Sequence, residues 1–253
     1  MRNLSTKKIV QTALFVALAL VVRMFSVMIP MGGVNGMRIG FSEVFTKMPA
    51  ILFGPLLGGI ASGLVDFLAQ VIKSEGAYLW PMLIVMISGG AVTGLMWKAV
   101  RGIPAKKIRV AFVVLCVGLA LFGIYNHFVL ASVGSGAWYD TLQRLKENLP
   151  MATYGMYGAS VLGVAFLVAD ALIKRRHPDS YKEDFLPLAV TVLVSDIYVT
   201  TVNTFVLRYY YSGLGKLPFW VVYVPRLIPD LVSAVIFAYI ISCLLKVAKN
   251  FNK

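Results

Sequence analysis

Arg38–Asp66 reads RIGFSEVFTKMPAILFGPLLGGIASGLVD, and this stretch decides the fold. It opens on a cation and carries Glu43 and Lys47 four residues apart, a spacing that pairs opposite charges on one helix face. It breaks at Phe53-Gly54-Pro55, runs into glycines, and ends on Asp66 inside an apolar segment. Gly54, Gly58 and Ser62 recur every four residues, as do Gly59 and Gly63. Small residues at that spacing let membrane helices approach backbone to backbone. Pro55 cannot continue the preceding helix but fits the first turn of the next. The stretch therefore predicts two short helices joined by a tight turn, the second packed closely on its neighbours.

The rest of the chain agrees on the solvent. Of 253 residues, 59% are hydrophobic and only 14% charged, more apolar surface than a soluble domain of this size needs. A mean hydropathy of +0.80 points to lipid. A helix needs about 20 apolar residues to cross a bilayer, and eight segments approach that length, two of them short. The net charge of +13 is mainly a topology signal and does not imply nucleic acid. Most of the bases fall in clusters around Arg2–Lys8, Lys98–Arg109, Lys174–Lys182 and Lys246–Lys253. These alternate with basic-poor loops, as the positive-inside rule requires, so both termini are expected on the cytoplasmic side of the cell membrane. Cys116 and Cys243 sit in apolar segments and read as packing residues. His127 and His177 form no metal motif, and no Gly-rich nucleotide loop is present.

Residues 9–29 are expected to form the first span. Its basic start suits a signal peptide, but the run reaches Ile29 without a small-residue cleavage site, which favours a retained helix. Arg23 needs an acid, a water cavity or an anionic ligand at its depth. Pro30–Gly36, PMGGVNG, reads as an external loop, either a connector or a mobile lid. The segment SGAWYDTLQRLKENLP reads as a short amphipathic helix at the outer interface. Asp66, Asp170 and Asp196 lie within spans, and Arg226 and Asp230 stand four apart in the last one.

RIGF, then FGPLLGGIASGLVD, then a loop and Trp80-Pro81, resembles the substrate-binding S component of energy-coupling factor (ECF) vitamin transporters, most of all the folate type. That resemblance implies an all-α integral membrane protein with a six-helix core. Residues 1–104 would hold helices 1–4 and residues 184–253 helices 5 and 6. Residues 105–183 would be two extra transmembrane helices inserted between helices 4 and 5, with the external amphipathic segment between them. An even-numbered insertion keeps everything downstream in its orientation. The Ala13/Ala17 spacing matches the A-x-x-x-A surface on which such helices dock the shared transmembrane scaffold subunit. The resemblance further implies capture of a folate-like vitamin from outside, delivery with two ATPase subunits, no covalent chemistry and no cofactor in this chain.

The residue pattern supports an outward-facing anion site. Bases outside the cytoplasmic clusters gather at the outer level, and an Arg grips a carboxylate through two parallel hydrogen bonds. Arg38 and Arg226 rank first, since both also lie in family-like motifs; Arg23 is a third candidate, and Asn203 lies in the Asn203-Thr204 match. Trp80, Tyr209, Trp220 and Tyr223 offer flat faces for a ring. An alternative is a proton- or ion-coupled secondary transporter of a small anionic metabolite, with Asp66, Asp196 and Glu43 as relays. The missing inverted repeat weighs against it. No paired catalytic motif supports an enzyme.

Overall fold

The computed structural model describes residues 5–31, 34–73, 78–133, 135, 139, 156–176, 185–216 and 219–250; some side chains within these ranges, Arg38 and Trp220 among them, also lie outside the description. The chain is mainly helical. α1 is Thr6–Arg23, α2 Ser42–Phe53, α3 Pro55–Ile72, α4 Trp80–Val100, and α5 Ala105–Phe128 with a wider turn at Val129–Val133. α6 is Met156–Arg176, α7 Phe185–Tyr210, α8 the single turn Ser212–Gly215, and α9 Phe219–Asn250.

The expectation of an all-α chain needs one correction. Strands β1, Val27–Met31, and β2, Val34–Ile39, pair antiparallel where an external loop was expected. The first helix accordingly ends at Arg23 and not at Ile29. The Phe25 and Ser26 amides reach back three residues, to Val22 and Arg23, and the Ser26 hydroxyl donates to the same Arg23 carbonyl at 2.7 Å. Both contacts satisfy carbonyls that a helix end leaves open. Pro30 lacks a ladder donor, and the strand register shifts between Ile29 and Pro30. The second helix opens at Ser42 and not at Arg38, because Arg38 stands in β2 opposite Met28. Gly40 lets the chain pass against Ser26, where a Cβ would lie 2.7 Å from the serine Cβ.

The break at Phe53-Gly54-Pro55 is one residue wide. Gly54 adopts φ 103°, a conformation that L side chains rarely take, and donates to Ala50 at 3.0 Å. Pro55 opens α3. The glycines that follow remove the bulk between helices. A Cβ on Gly58 would lie 2.7 Å from the Gly90 carbonyl, and one on Gly94 2.6 Å from the Pro55 nitrogen. α2, α3 and α4 thus meet through backbone.

Four stretches among the described residues are long and apolar enough to cross a membrane: α3, α4, Lys106–Ser132 and α7. α1 carries Lys7, Lys8 and Arg23 within its 18 residues. α2 has 12 residues, a length of about 18 Å against about 30 Å of hydrocarbon. The described apolar part of α9 is Ser233–Leu245.

The chain separates into two compact units, Met1–Ile103 with Pro187–Lys253, and Pro104–Leu186. In the second, α5 and α6 pack where Gly163 leaves room for the Cys116 sulfur and the Ser160 hydroxyl donates to the Cys116 carbonyl at 2.9 Å. Cys116 and Cys243 are free thiols. Trp138, Leu142 and Leu145 of the expected amphipathic segment lie outside the described residues.

Candidate functional site

α7 carries the polar face around which the site is built. Asp196, Thr200 and Thr204 follow at four-residue intervals and so share one side of the helix. Thr204 and Thr200 also hydrogen-bond α9. The Arg226 Nη1 donates to the Thr204 Oγ1 at 2.8 Å, and the Thr200 hydroxyl donates to the Asp230 Oδ2 at 2.6 Å. Beside them, the Thr201 and Tyr223 hydroxyls meet at 2.8 Å. Arg226 is 5% exposed, and among the described residues its Nε has no partner; the Asn203 Oδ1 is likewise buried and without a described partner. A buried donor and a buried acceptor left open are costly unless something fills them.

Aromatic rings flank this face. Phe219 stacks on Phe205 at 4.7 Å and on Tyr223 at 5.0 Å, and the Arg208 guanidinium lies 5.8 Å from the Phe219 ring centre. Arg208 also donates to the carbonyls of Leu214 and Gly215, which ties α8 to the end of α7. Tyr209 is 84% exposed and packs edge-on against Tyr210.

A second polar centre forms around Asp66 on α3. Arg23 Nη2 donates to one carboxylate oxygen at 3.0 Å and the Tyr78 hydroxyl to the other at 3.2 Å. Burial and the Asp66 charge push the Tyr78 hydroxyl up to about 12, so it keeps its proton across the physiological range. Tyr78 meets Trp80 edge-on at 5.3 Å, and Trp80 lies over Phe67 at 6.3 Å.

The sequence-derived residues therefore fall into groups. Asn203 and Arg226 stand on α7 and α9, whose side chains bond each other. Arg23 and Trp80 meet around Asp66 and Tyr78, so the acid that Arg23 needs comes from the chain itself. Tyr209 is at the exposed end of α7. Arg38 is placed by its strand and Trp220 by its helix, while both side chains lie outside the described residues. Ala13 and Ala17 are exposed on α1, while Val16 and Ala19 of the same helix are buried and pack on Ala61 and Val65. The proposed relay acids Asp66 and Asp196 are each bonded to a cation. Sequence reasoning missed Tyr78 and Thr200 and named Thr204 only within the Asn203-Thr204 match; for the threonines, the four-residue spacing from Asp196 to Thr204 was the available signal.

The family description "ECF-type riboflavin transporter, S component" matches residues 3–173, running on through α5 and most of α6. A folate transporter, FolT of Clostridium novyi (strain NT), is 33% identical over 82 residues, which cover 32% of this chain and 44% of FolT. An uncharacterized protein in the gap 3' region of Pyrococcus woesei is 29% identical over 147 residues, half of this chain and 97% of that protein. The chain thus spans less than half the length of the folate transporter it matches. No solved structure matches it. With residues 3–173 of its 253 matched, this chain belongs to the ECF-type riboflavin transporter S-component family.

Proposed function

We propose that this protein is the capture subunit of an ECF-type importer and takes a flat heteroaromatic vitamin from outside, at the outer part of α7 and α9. The family is one of membrane transporter subunits and not an enzyme class. The observation that carries the reading is that α7 and α9 each hold a buried polar group without a described partner, the Asn203 Oδ1 acceptor and the Arg226 Nε donor, and that the same two helices carry the stacked rings of Phe205, Phe219 and Tyr223. Donor and acceptor together suit the amide-like edge of a fused ring, and the rings suit its face.

Charge placement supports an uncharged ring, of the flavin kind, over a folate. Arg23 is held by Asp66, Lys47 by Glu43 and Asp196, and Arg226 lies within electrostatic reach of Asp230. A ligand carboxylate would compete with each acid. The folate reading has its own support in the relative named FolT, in the FGPLLGGIASGLVD corner and in Arg38. Titrating the purified chain with riboflavin and with a reduced folate decides between them. We expect riboflavin to bind about 100-fold more tightly, a difference of about 2.8 kcal/mol. The reverse order establishes the folate reading, and binding of neither ends both. Arg226→Ala combined with Asp230→Asn removes the donor without stranding its acid, and should weaken the preferred vitamin about 30-fold.

Coupling to a transmembrane scaffold and two ATPase subunits is the second part of the proposal. Exposed small side chains at Ala13 and Ala17 support α1 as the docking face. Ala17→Trp should abolish uptake in cells and copurification with the ATPases while vitamin affinity stays at the parent value. Equal loss of affinity and uptake would make this face part of the ligand site.

The arrangement proposed in the membrane is eight spans with both termini cytoplasmic. Residues 105–183 would be an inserted helix pair between the two segments of the six-helix core. A cysteine at Ser212 should then react with an impermeant reagent in intact cells, and one at Ser180 should not; the opposite pattern overturns the topology.

A further inference from the structure

Lys47 is a buried cation held by two acids. Its side chain is 8% exposed, and its ammonium lies 2.6 Å from Glu43 Oε2 and 2.5 Å from Asp196 Oδ1. The Phe237 ring of α9 lies 5.8 Å from the same nitrogen. Glu43 is half-exposed and local; Asp196 is buried and comes from 149 residues away. Among the described residues the second oxygen of Asp196 has no partner, so the aspartate's described hydrogen bond is the one to Lys47.

Asp196 is also the foot of the α7 ladder. One turn on, Thr200 holds Asp230; a turn further, Thr204 accepts from Arg226. On the opposite side, Ser195 meets the Thr93 hydroxyl at 2.6 Å and donates to the Gly89 carbonyl at 3.2 Å. α7 is therefore tied to α4 and α9 through hydroxyls and to α2 through a charge pair. Between lipid-exposed helices, apolar packing carries little directional information, since lipid tails are as apolar as leucine. A buried charge pair does carry it. Sliding α7 by one residue would leave Asp196 and Lys47 unmatched in a medium that penalises single charges heavily.

We infer that Lys47 and Asp196 are positioning residues for ligand capture: their ion pair sets the register of α7 on α2, and the threonine ladder transmits that register to Arg226 and Asn203. The inference rests on the proposed ligand site, but the register itself can be read without a ligand.

The test uses the full chain with Lys47→Met and Asp196→Leu together, an apolar replacement that buried ion pairs often tolerate without loss of stability. Three readouts are taken: the melting temperature, riboflavin and folate affinity, and the distance distribution between spin labels on cysteines at Phe53 in α2 and Ile197 in α7. The expected result is a melting temperature near the parent's, a broadened distribution, and a loss of about 30-fold in affinity for the vitamin the parent prefers. Lys47→Arg, which keeps the charge, should bind within about tenfold of the parent and keep the distribution narrow. If the double variant does not fold, Asp196→Asn, which keeps the shape, is read on the same scales. A folded variant with parental affinity and a narrow distribution overturns the inference, as does a Lys47→Arg variant that loses as much as the apolar pair. Should the parent bind neither vitamin, the functional reading fails while the spin-label distances still decide the register.

Discussion

Gly90→Leu is expected to abolish accumulation of the folded protein. Gly90 faces Gly58 across the α3–α4 contact, and a Cβ there would meet the Gly58 carbonyl oxygen, the Ser62 hydroxyl, and the Gly58 carbonyl carbon at 2.8 Å. Two of those three atoms are backbone, so no rotamer change relieves them and the helices must part. Overpacking a core typically costs about 1–3 kcal/mol, and occasionally more. Here separation would also disturb the Gly94–Pro55 contact one turn away and the Gly54 corner beside it. Gly118→Leu is the control, since among the described residues nothing lies within 4 Å of the position a Cβ would take at Gly118. It should stay within about 0.5 kcal/mol of the parent. Thermal melting in detergent reads both; a Gly90→Leu protein that melts with the parent would show that the close approach carries no stability.

The second large effect is expected at Asp66. Asp66→Leu removes the partner of both Arg23 and the Tyr78 hydroxyl, and Arg23, whose side chain is 13% exposed, already has one buried nitrogen without a partner among the described residues. Stranding one member of a buried pair costs about 3–5 kcal/mol, because the remaining charge keeps its desolvation penalty. Arg23→Met in the same chain should restore most of the loss, since an apolar pair at that place carries no such penalty. The four melting temperatures of the cycle check this. If the double variant is no more stable than Asp66→Leu alone, the cost lies in packing around α3 and not in the stranded arginine.

The α2–α3 corner was readable because its causes are local. Pro55 has no amide hydrogen and Gly54 alone tolerates its backbone angle, so two adjacent residues specify the break. The end of α1 was not readable in the same way. The apolar run continues through Phe25 to Ile29, and in lipid a β-branched residue suits a helix and a strand alike; Ser26 and Pro30 carry the decision through contacts that composition does not display. Arg226 and Asp230 invited pairing with each other by their spacing. In the structure each takes a threonine of α7, because a facing helix offers a hydroxyl to each. The local half of the Lys47 site, Glu43, was visible at four residues' distance. Its buried half lies on another helix, and no pattern within one segment points across 149 residues.

The shortness of α2 has a consequence for the path of a solute. From the corner at Gly54 to Glu43 the helix rises about 16 Å, roughly half the depth of a bilayer's hydrocarbon. The Glu43 side chain is half-exposed at that end of the helix. A carboxylate exposed at mid-membrane depth would have to face water, because a lone charge in lipid is costly, so in the eight-span arrangement proposed above the open end of α2 would border an aqueous cavity. The other end of α2 is closed by the glycine-packed corner, where α2, α3 and α4 touch through backbone.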